Sequence, residues 1–265
     1  MVASLRRERH ADLLWYYTRF ATARDHILPD GTLRLNAFAT MRDPRESRAW
    51  WPHIVQPRPR SVQVARNLQN RIRAEIDALR TRTYLLCLVR DDEPRHQEFP
   101  HQDRGYASPV MWEFYAEEHT GVCLGFNRDA LVDTLTRALR AHGEIRWGDV
   151  HYSDRELMID ISSQDARSDT DIAESLFQEQ ASRLFFQKTR AWRHEREYRF
   201  AVMAPSPVGP GIPVSYDNSL RHVIVGTESA QQAGELLGPA TPHGVTTIEI
   251  LNWVNNQPRL DRSTS

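Results

Sequence analysis

The sequence predicts an α+β fold: a mixed, largely antiparallel sheet with flanking helices. Two observations carry this. Runs of helical and of strand period are interleaved without a strict strand–helix alternation, so a regular parallel βαβ sheet is not indicated. Strand-like runs at about 196–203, 212–216 and 221–226 also follow one another too closely for crossover helices. The 265 residues suffice to bury a sizeable core. One domain is expected over 1–255, with a frayed tail at 256–265.

Taken in order, residues 4–20 look helical until DHILPDG breaks the pattern. GTLRLNAFA is a short strand, and the proline-bearing stretches MRDPRES and WWPHIVQPRPR are loops. Val62, Ala65, Leu68, Ile72, Ile76 and Leu79 form one apolar stripe, the signature of an amphipathic helix over 62–80. TYLLCLV reads as a buried strand and DDEPRHQEFPHQDRGYASP as a long polar loop. PVMWEFYAEEH is a helix opened by Pro109. GVCLGF is a strand, RDALVDTLTRALRA a helix and IRWGDVHYS a strand. DIAESLFQEQASRLFFQ is a further helix, a short helix is expected near 229–237, and a last strand at about 245–251.

Composition narrows the function classes. Lys and Arg total 34 against 35 for Asp and Glu, so no global basic field marks a nucleic-acid binder. Nearly all of the positive charge is arginine. Arg66, Arg71, Arg73 and Arg80 make the outer side of the 62–80 helix basic, which leaves a local nucleic-acid contact open, although Glu75 and Asp77 interrupt it. Cys87 and Cys123 sit in apolar runs and read as buried, unpaired thiols. MVASLRRERH lacks the apolar core of a signal peptide, and no run approaches the roughly 20 apolar residues that span a bilayer. A cytoplasmic protein without membrane partners is expected.

Two stretches carry candidate chemistry. In MWEFYAEEHTGVCLGF, Trp112, Tyr115 and His119 share one helix face, and Gly121 permits a sharp turn into the next strand. They are either a seam packing helix on sheet or a stacking wall for a flat ligand ring. In KTRAWRHEREYRF, strand alternation sends Tyr198, Phe200 and Val202 to the core and Glu195, Glu197 and Arg199 to the other side. Lys188 and Trp192 precede them. This row is either a solvated ion network or a cleft wall, with Glu197 partly accessible in the cleft. No Walker loop, G-x-G-x-x-G, H-E-x-x-H or paired C-x-x-C is present. His96, Glu98, His101 and Asp103 lie in the polar loop, and no metal site is assigned to them. Cys123 beside His119 suggests a thiol nucleophile, but a strand-buried thiol is inert.

Four stretches, WYYTRF, LRLNAFATMRDPRES, MWEFYAEEHTGVCLGF and KTRAWRHEREYRF, together resemble a bacterial family known as domain of unknown function 2971. VHYS and LRHVIVGT fit its lesser landmarks, and Arg42 stands where the family usually has Asn. The family label implies no activity. The Glu-x-Glu spacing also resembles the biglutamate strand of ADP-ribosyltransferases, which implies a related α+β layout with NAD as substrate. That resemblance implies Glu197 stabilising the ribosyl cation and Glu195 orienting the acceptor. It further implies Tyr17 and Arg19 in YYTRF, and Asn36 and Thr40 in NAFAT, holding the cofactor. Lys188, Trp192, Trp112, Tyr115, His119 and Arg199 complete the expected nucleotide site. The function so implied is ADP-ribosyl transfer to a macromolecular acceptor, or NAD cleavage, in bacterial conflict or phage defence. A non-catalytic ligand- or partner-binding module is the alternative, and a nuclease a lesser one.

Overall fold

The N-terminal run Leu13–Thr18 (LLWYYT) is a β-strand, β1, and not part of the expected helix. Its side chains are buried on both faces, so the run has no polar side to give it a period. Aromatic content then favours a central strand. The computed structural model describes residues 13–43, 46, 53–55, 62–92, 101–155, 158–160, 183–236 and 248–262. Most of the expected helix DIAESLFQEQASRLFFQ, together with His96 and Glu98, lies outside them.

After β1 come a short helical run over 20–30 and β2 (Thr32–Ala37), then β3 (His53–Val55), α1 (Val62–Arg82) and β4 (Thr83–Arg90). Next are α2 (Pro109–Tyr115), β5 (Val122–Asn127), α3 (Arg128–Leu139) and β6 (Glu144–Asp149). Short strands β7 (His151–Tyr152), β8 (Met158–Asp160) and β9 (Gln187–Lys188) precede β10 (Glu197–Met203). β11 (Gly211–Ser215), β12 (Leu220–Gly226), β13 (Ile248–Val254) and β14 (Gln257–Arg262) finish the fold. The α3 start is capped by Asn127, whose side chain accepts from the Ala130 N–H at 3.0 Å. Among the described residues no helix is long and apolar enough to cross a membrane.

Three further expectations need correction. The stretch WWPHIVQPRPR, expected as a loop, contributes β3, which pairs in parallel with β8. Up to Arg262 the expected tail is not frayed: β14 pairs with β13 through a turn at Asn255 and Asn256, both with positive φ (52° and 61°), as a tight hairpin requires. The segment expected as a helix near 229–237 is a 3₁₀ run, Thr227–Leu236.

Ten strands form one sheet, in the order β11-β2-β4-β1-β5-β12-β13-β14, with β10 on β4 and β6 on β10. All pairings within it are antiparallel except β12 with β13. The α+β class with a mixed, mostly antiparallel sheet is therefore as expected. β4 is a branch point. One flank is paired along its length by β10, from Thr83 to Val89. The other flank is shared: Tyr84 and Leu85 pair with β2, whereas Val89 and Arg90 pair with β1. Among the described residues Leu86, Cys87 and Leu88 have no strand partner on that flank, so the sheet splits there.

The two sheet faces are unlike. One carries a single large core, in which Leu33, Leu35, Tyr84, Leu86, Leu88, Phe200 and Val202 meet Leu131, Leu135 and Leu139 of α3. The other face carries two separate apolar clusters. One holds Leu85, Ala201, Phe38 and Phe185 under Ile72, Ile76 and Leu79 of α1. The second holds Leu13, Trp15, Tyr17 and Val89 under Met111 and Trp112 of α2. The candidate site lies between these two.

Candidate functional site

β10 and β4 set the site's floor by register. Glu197 lies opposite Val89, Arg199 opposite Cys87 and Ala201 opposite Leu85, so these six side chains share a face. On β2 the buried residues Leu33, Leu35 and Ala37 alternate with exposed Arg34 and Asn36. Above the split in the sheet is a cavity of about 400 Å³. Its lining includes Tyr17, Arg34, Asn36, Thr40, Arg42, Glu46, Cys87, Tyr115, Lys188, Trp192, Glu195 and Glu197.

The expected row of alternating strand residues is broken at one point. Glu195 ends a 3₁₀ turn, Arg190–Glu195, and Arg196 is left-handed (φ 44°), so the strand begins only at Glu197. The Arg196 N–H closes that turn on the Arg193 carbonyl (3.3 Å). The two glutamates nevertheless converge on one cation. Lys188 Nζ donates to Glu195 Oε2 at 2.5 Å and lies 3.2 Å from Glu197 Oε2. Its ammonium also sits 4.9 Å from the centre of the Trp192 ring. Tyr115 donates its hydroxyl to Glu195 Oε1 at 2.5 Å.

Arg199 is fully buried and grips Glu197 with two nitrogens: Nε to Oε1 at 2.7 Å and Nη2 to Oε2 at 2.9 Å. Its Nη1 donates to the Phe185 carbonyl (2.6 Å), and Nη2 also lies 2.6 Å from Glu46 Oε1. Arg80 of α1 donates to the Glu46 backbone carbonyl (3.0 Å) and thereby anchors that residue. The Glu197 N–H donates to the Tyr152 hydroxyl oxygen at 2.8 Å.

These placements fix the charge states. Burial opposes ionisation of Glu197, but Arg199 and Lys188 outweigh it and hold the carboxyl down at about 2. Burial pushes Glu46 up, and Arg199 and Lys188 only partly counter it. Lys188 stays protonated: burial acts against the charge, and Glu197, Glu46 and Glu195 overcome it. Burial also pushes the Cys87 thiol well up, with Glu197 adding to it, so Cys87 is no thiolate nucleophile. Both cysteines are unpaired, and Cys123 is fully buried, but Cys87 is only partly so because it faces the cavity.

Of the residues expected at the site, Tyr17, Asn36, Thr40, Tyr115, Lys188, Trp192, Glu195 and Glu197 line the cavity, and Arg199 lies directly behind Glu197. Glu197 lines the cavity but is only 5% exposed, buried and not partly accessible as expected. Three residues are elsewhere. The Arg19 side chain is 64% exposed and pairs with Glu117 (3.5 Å). Trp112 is completely buried, edge-on to Tyr17, with Nε1 donating to the Tyr106 carbonyl. His119 stacks on the far side of Trp112, past a left-handed stretch Glu117–His119, and its carbonyl leaves no room for a side chain at Gly226. The aromatic seam is therefore packing, with only Tyr115 turned to the cavity. Among the described residues no cluster of His, Cys, Asp and Glu could hold a metal.

The sequence reading missed Arg34, Asp43 and Glu46, and left open what Arg42 touches. Arg42 donates to the Phe114 carbonyl (2.9 Å) and lies over the Tyr115 ring. Arg34 had a readable signal, since it alternates with Leu33 and Leu35. Glu46 had none, because no apolar period in MRDPRES singles it out. Lys188 carried one that composition shows plainly: it is the single lysine among 34 basic residues.

The family model described as Protein of unknown function (DUF2971) matches residues 111–200, the segment from α2 to the middle of β10. It spans Tyr115, Lys188, Trp192, Glu195, Glu197 and Arg199, and leaves Arg34, Arg42 and Glu46 outside. No curated protein and no solved structure matches the chain.

Proposed function

We propose that this chain, whose residues 111–200 match the model of the domain-of-unknown-function 2971 family, binds NAD at the split in its sheet and cleaves the bond between nicotinamide and ribose. The observation that supports this is an ionised carboxylate, Glu197, fixed on the wall of a cavity of about 400 Å³. Ligand cavities of roughly 300–1,000 Å³ are usual for small molecules. When the C1′–N bond breaks, its electron pair moves into the pyridinium ring and neutral nicotinamide leaves. C1′ acquires cationic character, and a fixed negative charge facing it lowers the barrier. Water or an acceptor hydroxyl then bonds to C1′ and gives up its proton.

The remaining roles follow from position. Trp192 and Tyr115 offer ring faces for stacking. Arg34 and Arg42 line the cavity and take the place of surface-bound Arg19 as partners for the diphosphate. A second reading, non-catalytic ligand binding, is favoured by one feature. Glu195 and Glu197 are both already held by cations, which tempers the charge either can direct at a ligand.

Glu197→Gln separates the two. Gln keeps the size and can still bond a ribose hydroxyl, but removes the charge that matters most in the transition state. Binding by calorimetry should persist while nicotinamide release falls on the order of 100- to 1,000-fold. Release at the wild-type rate refutes the catalytic role. Binding without release by the wild type establishes the second reading.

A further inference from the structure

We infer that Glu46 is the base that receives the proton of the water or hydroxyl attacking C1′; the inference rests on the NAD reading above. Glu46 and Glu197 both line the cavity and both contact Arg199. They are held differently. Glu197 is gripped at both oxygens by Arg199, so neither is readily available to take a proton. Glu46 meets Arg199 through Oε1 only, as an ion pair without hydrogen-bond alignment. Among the described residues its Oε2 accepts no hydrogen bond. One carboxylate is thus placed to stay charged and the other to accept a proton.

The backbone supports this division. The Glu46 N–H donates to the Asp43 carbonyl (2.9 Å), and Arg80 holds the Glu46 carbonyl from α1. The carboxyl is therefore presented from a fixed point although it lies outside any strand. Two carboxyls whose surroundings push them in opposite directions mark an acid–base assignment. Burial raises Glu46, whereas Glu197 is held at about 2. The charged or titratable groups around Glu46 are Arg199 and Glu197 on β10, Lys188 on β9, Cys87 on β4 and Arg80 on α1, with Asp43 three residues earlier in the chain.

The step balances. The O–H of water loses its proton to Glu46 Oε2 as oxygen bonds to C1′, and the C1′–N electron pair leaves with nicotinamide. The products are ADP-ribose and nicotinamide, and Glu46 returns the proton to solvent.

The test uses the full chain with NAD in water, reading nicotinamide release against pH and NAD binding by calorimetry. The wild type should show an acid limb above that of an ordinary carboxyl. Glu46→Gln should bind NAD as the wild type does, release nicotinamide on the order of 100-fold more slowly, and lose that limb. Equal release by wild type and Glu46→Gln overturns the assignment and leaves the NAD reading standing. Loss of NAD binding in Glu46→Gln also overturns it, since the residue would then hold ligand or fold. A wild type that releases no nicotinamide overturns the NAD reading and the role of Glu46 with it. Should Glu46→Gln not fold, Glu46→Asp keeps the charge but draws the carboxyl back, and a wild-type rate there refutes the role.

Discussion

Arg199→Met tests whether the buried network is held by charge. Met keeps much of the volume of the arginine stem but removes a guanidinium that is fully buried. The change deletes the two bonds to Glu197, the bond to the Phe185 carbonyl and the ion pair with Glu46. Two estimates of the loss agree. A carboxyl held at about 2 instead of its ordinary 4.5 contributes about 3 kcal/mol at neutral pH. Removing one partner of a buried ion pair costs about 3–5 kcal/mol. At roughly 2–4 °C per kcal/mol for a chain of this size, the melting temperature should fall by roughly 10 °C. The sign of the pH dependence discriminates further. The folded value of Glu197 lies below its unfolded value, so its contribution is complete above about 4.5 and is lost as pH falls towards about 2. In Arg199→Met, burial regains the upper hand at Glu197, and that gain with rising pH disappears. Urea unfolding at pH 7 and pH 3 should therefore show a wild-type advantage that is largest at pH 7 and shrinks at pH 3. An advantage under about 1 kcal/mol, or one equal at the two pH values, would refute the reasoning.

Lys188→Arg should destabilise by about 1–3 kcal/mol in the same urea curves, because a planar guanidinium must fit where a compact ammonium bridges Glu195 and Glu197 beneath Trp192; an unchanged midpoint would show that the position is indifferent to shape. Arg19→Ala should leave NAD affinity as it is and cost less than about 1 kcal/mol, since the side chain is 64% exposed and, among the described residues, pairs with Glu117 alone. A marked loss of affinity in calorimetry would return the phosphate role to Arg19.

The parts of the fold that were legible in the sequence are those where one face is wet. α1 and α3 announce themselves by helical stripes, and β2 by its strict alternation. β1 was misread because it is buried on both faces and so has no polar period to contradict a helix. β14 was misread because Arg259, Asp261 and Arg262 make it look like a solvated tail; the signal was the Asn255–Asn256 pair, whose tolerance of positive φ closes the hairpin. At the site, the Glu-x-Glu spacing drew attention to two residues that line the cavity, but for a partly wrong reason. The two side chains meet not through strand alternation but because left-handed Arg196 interrupts the chain between them and Lys188 gathers both.

Lys188 shows what kind of constraint the site imposes. The other 33 basic residues of the 34 are arginines, so at every other position the chain uses a guanidinium for its positive charge. The one ammonium stands between two buried glutamates and an indole, where three donors must point in different directions within a short radius. Stability alone gives little reason to keep such a group. Replacing a buried ion network with well-packed apolar side chains is often neutral or stabilising. Here the apolar material is at hand on both sides: Leu85, Phe38 and Phe185 in one cluster, and Trp15, Tyr17 and Val89 in the other. A core built for stability would merge the two across the split in the sheet. Instead, the gap is held open by Glu46, Lys188, Glu195, Glu197 and Arg199, three carboxylates against two cations. Glu197, held ionised on the cavity wall, favours a ligand whose enclosed part is cationic or becomes so during reaction. The pyridinium ring of NAD, and the ribosyl carbon it leaves behind, both meet that requirement, which is why Glu197→Gln and Glu46→Gln are the variants that decide between chemistry and binding alone.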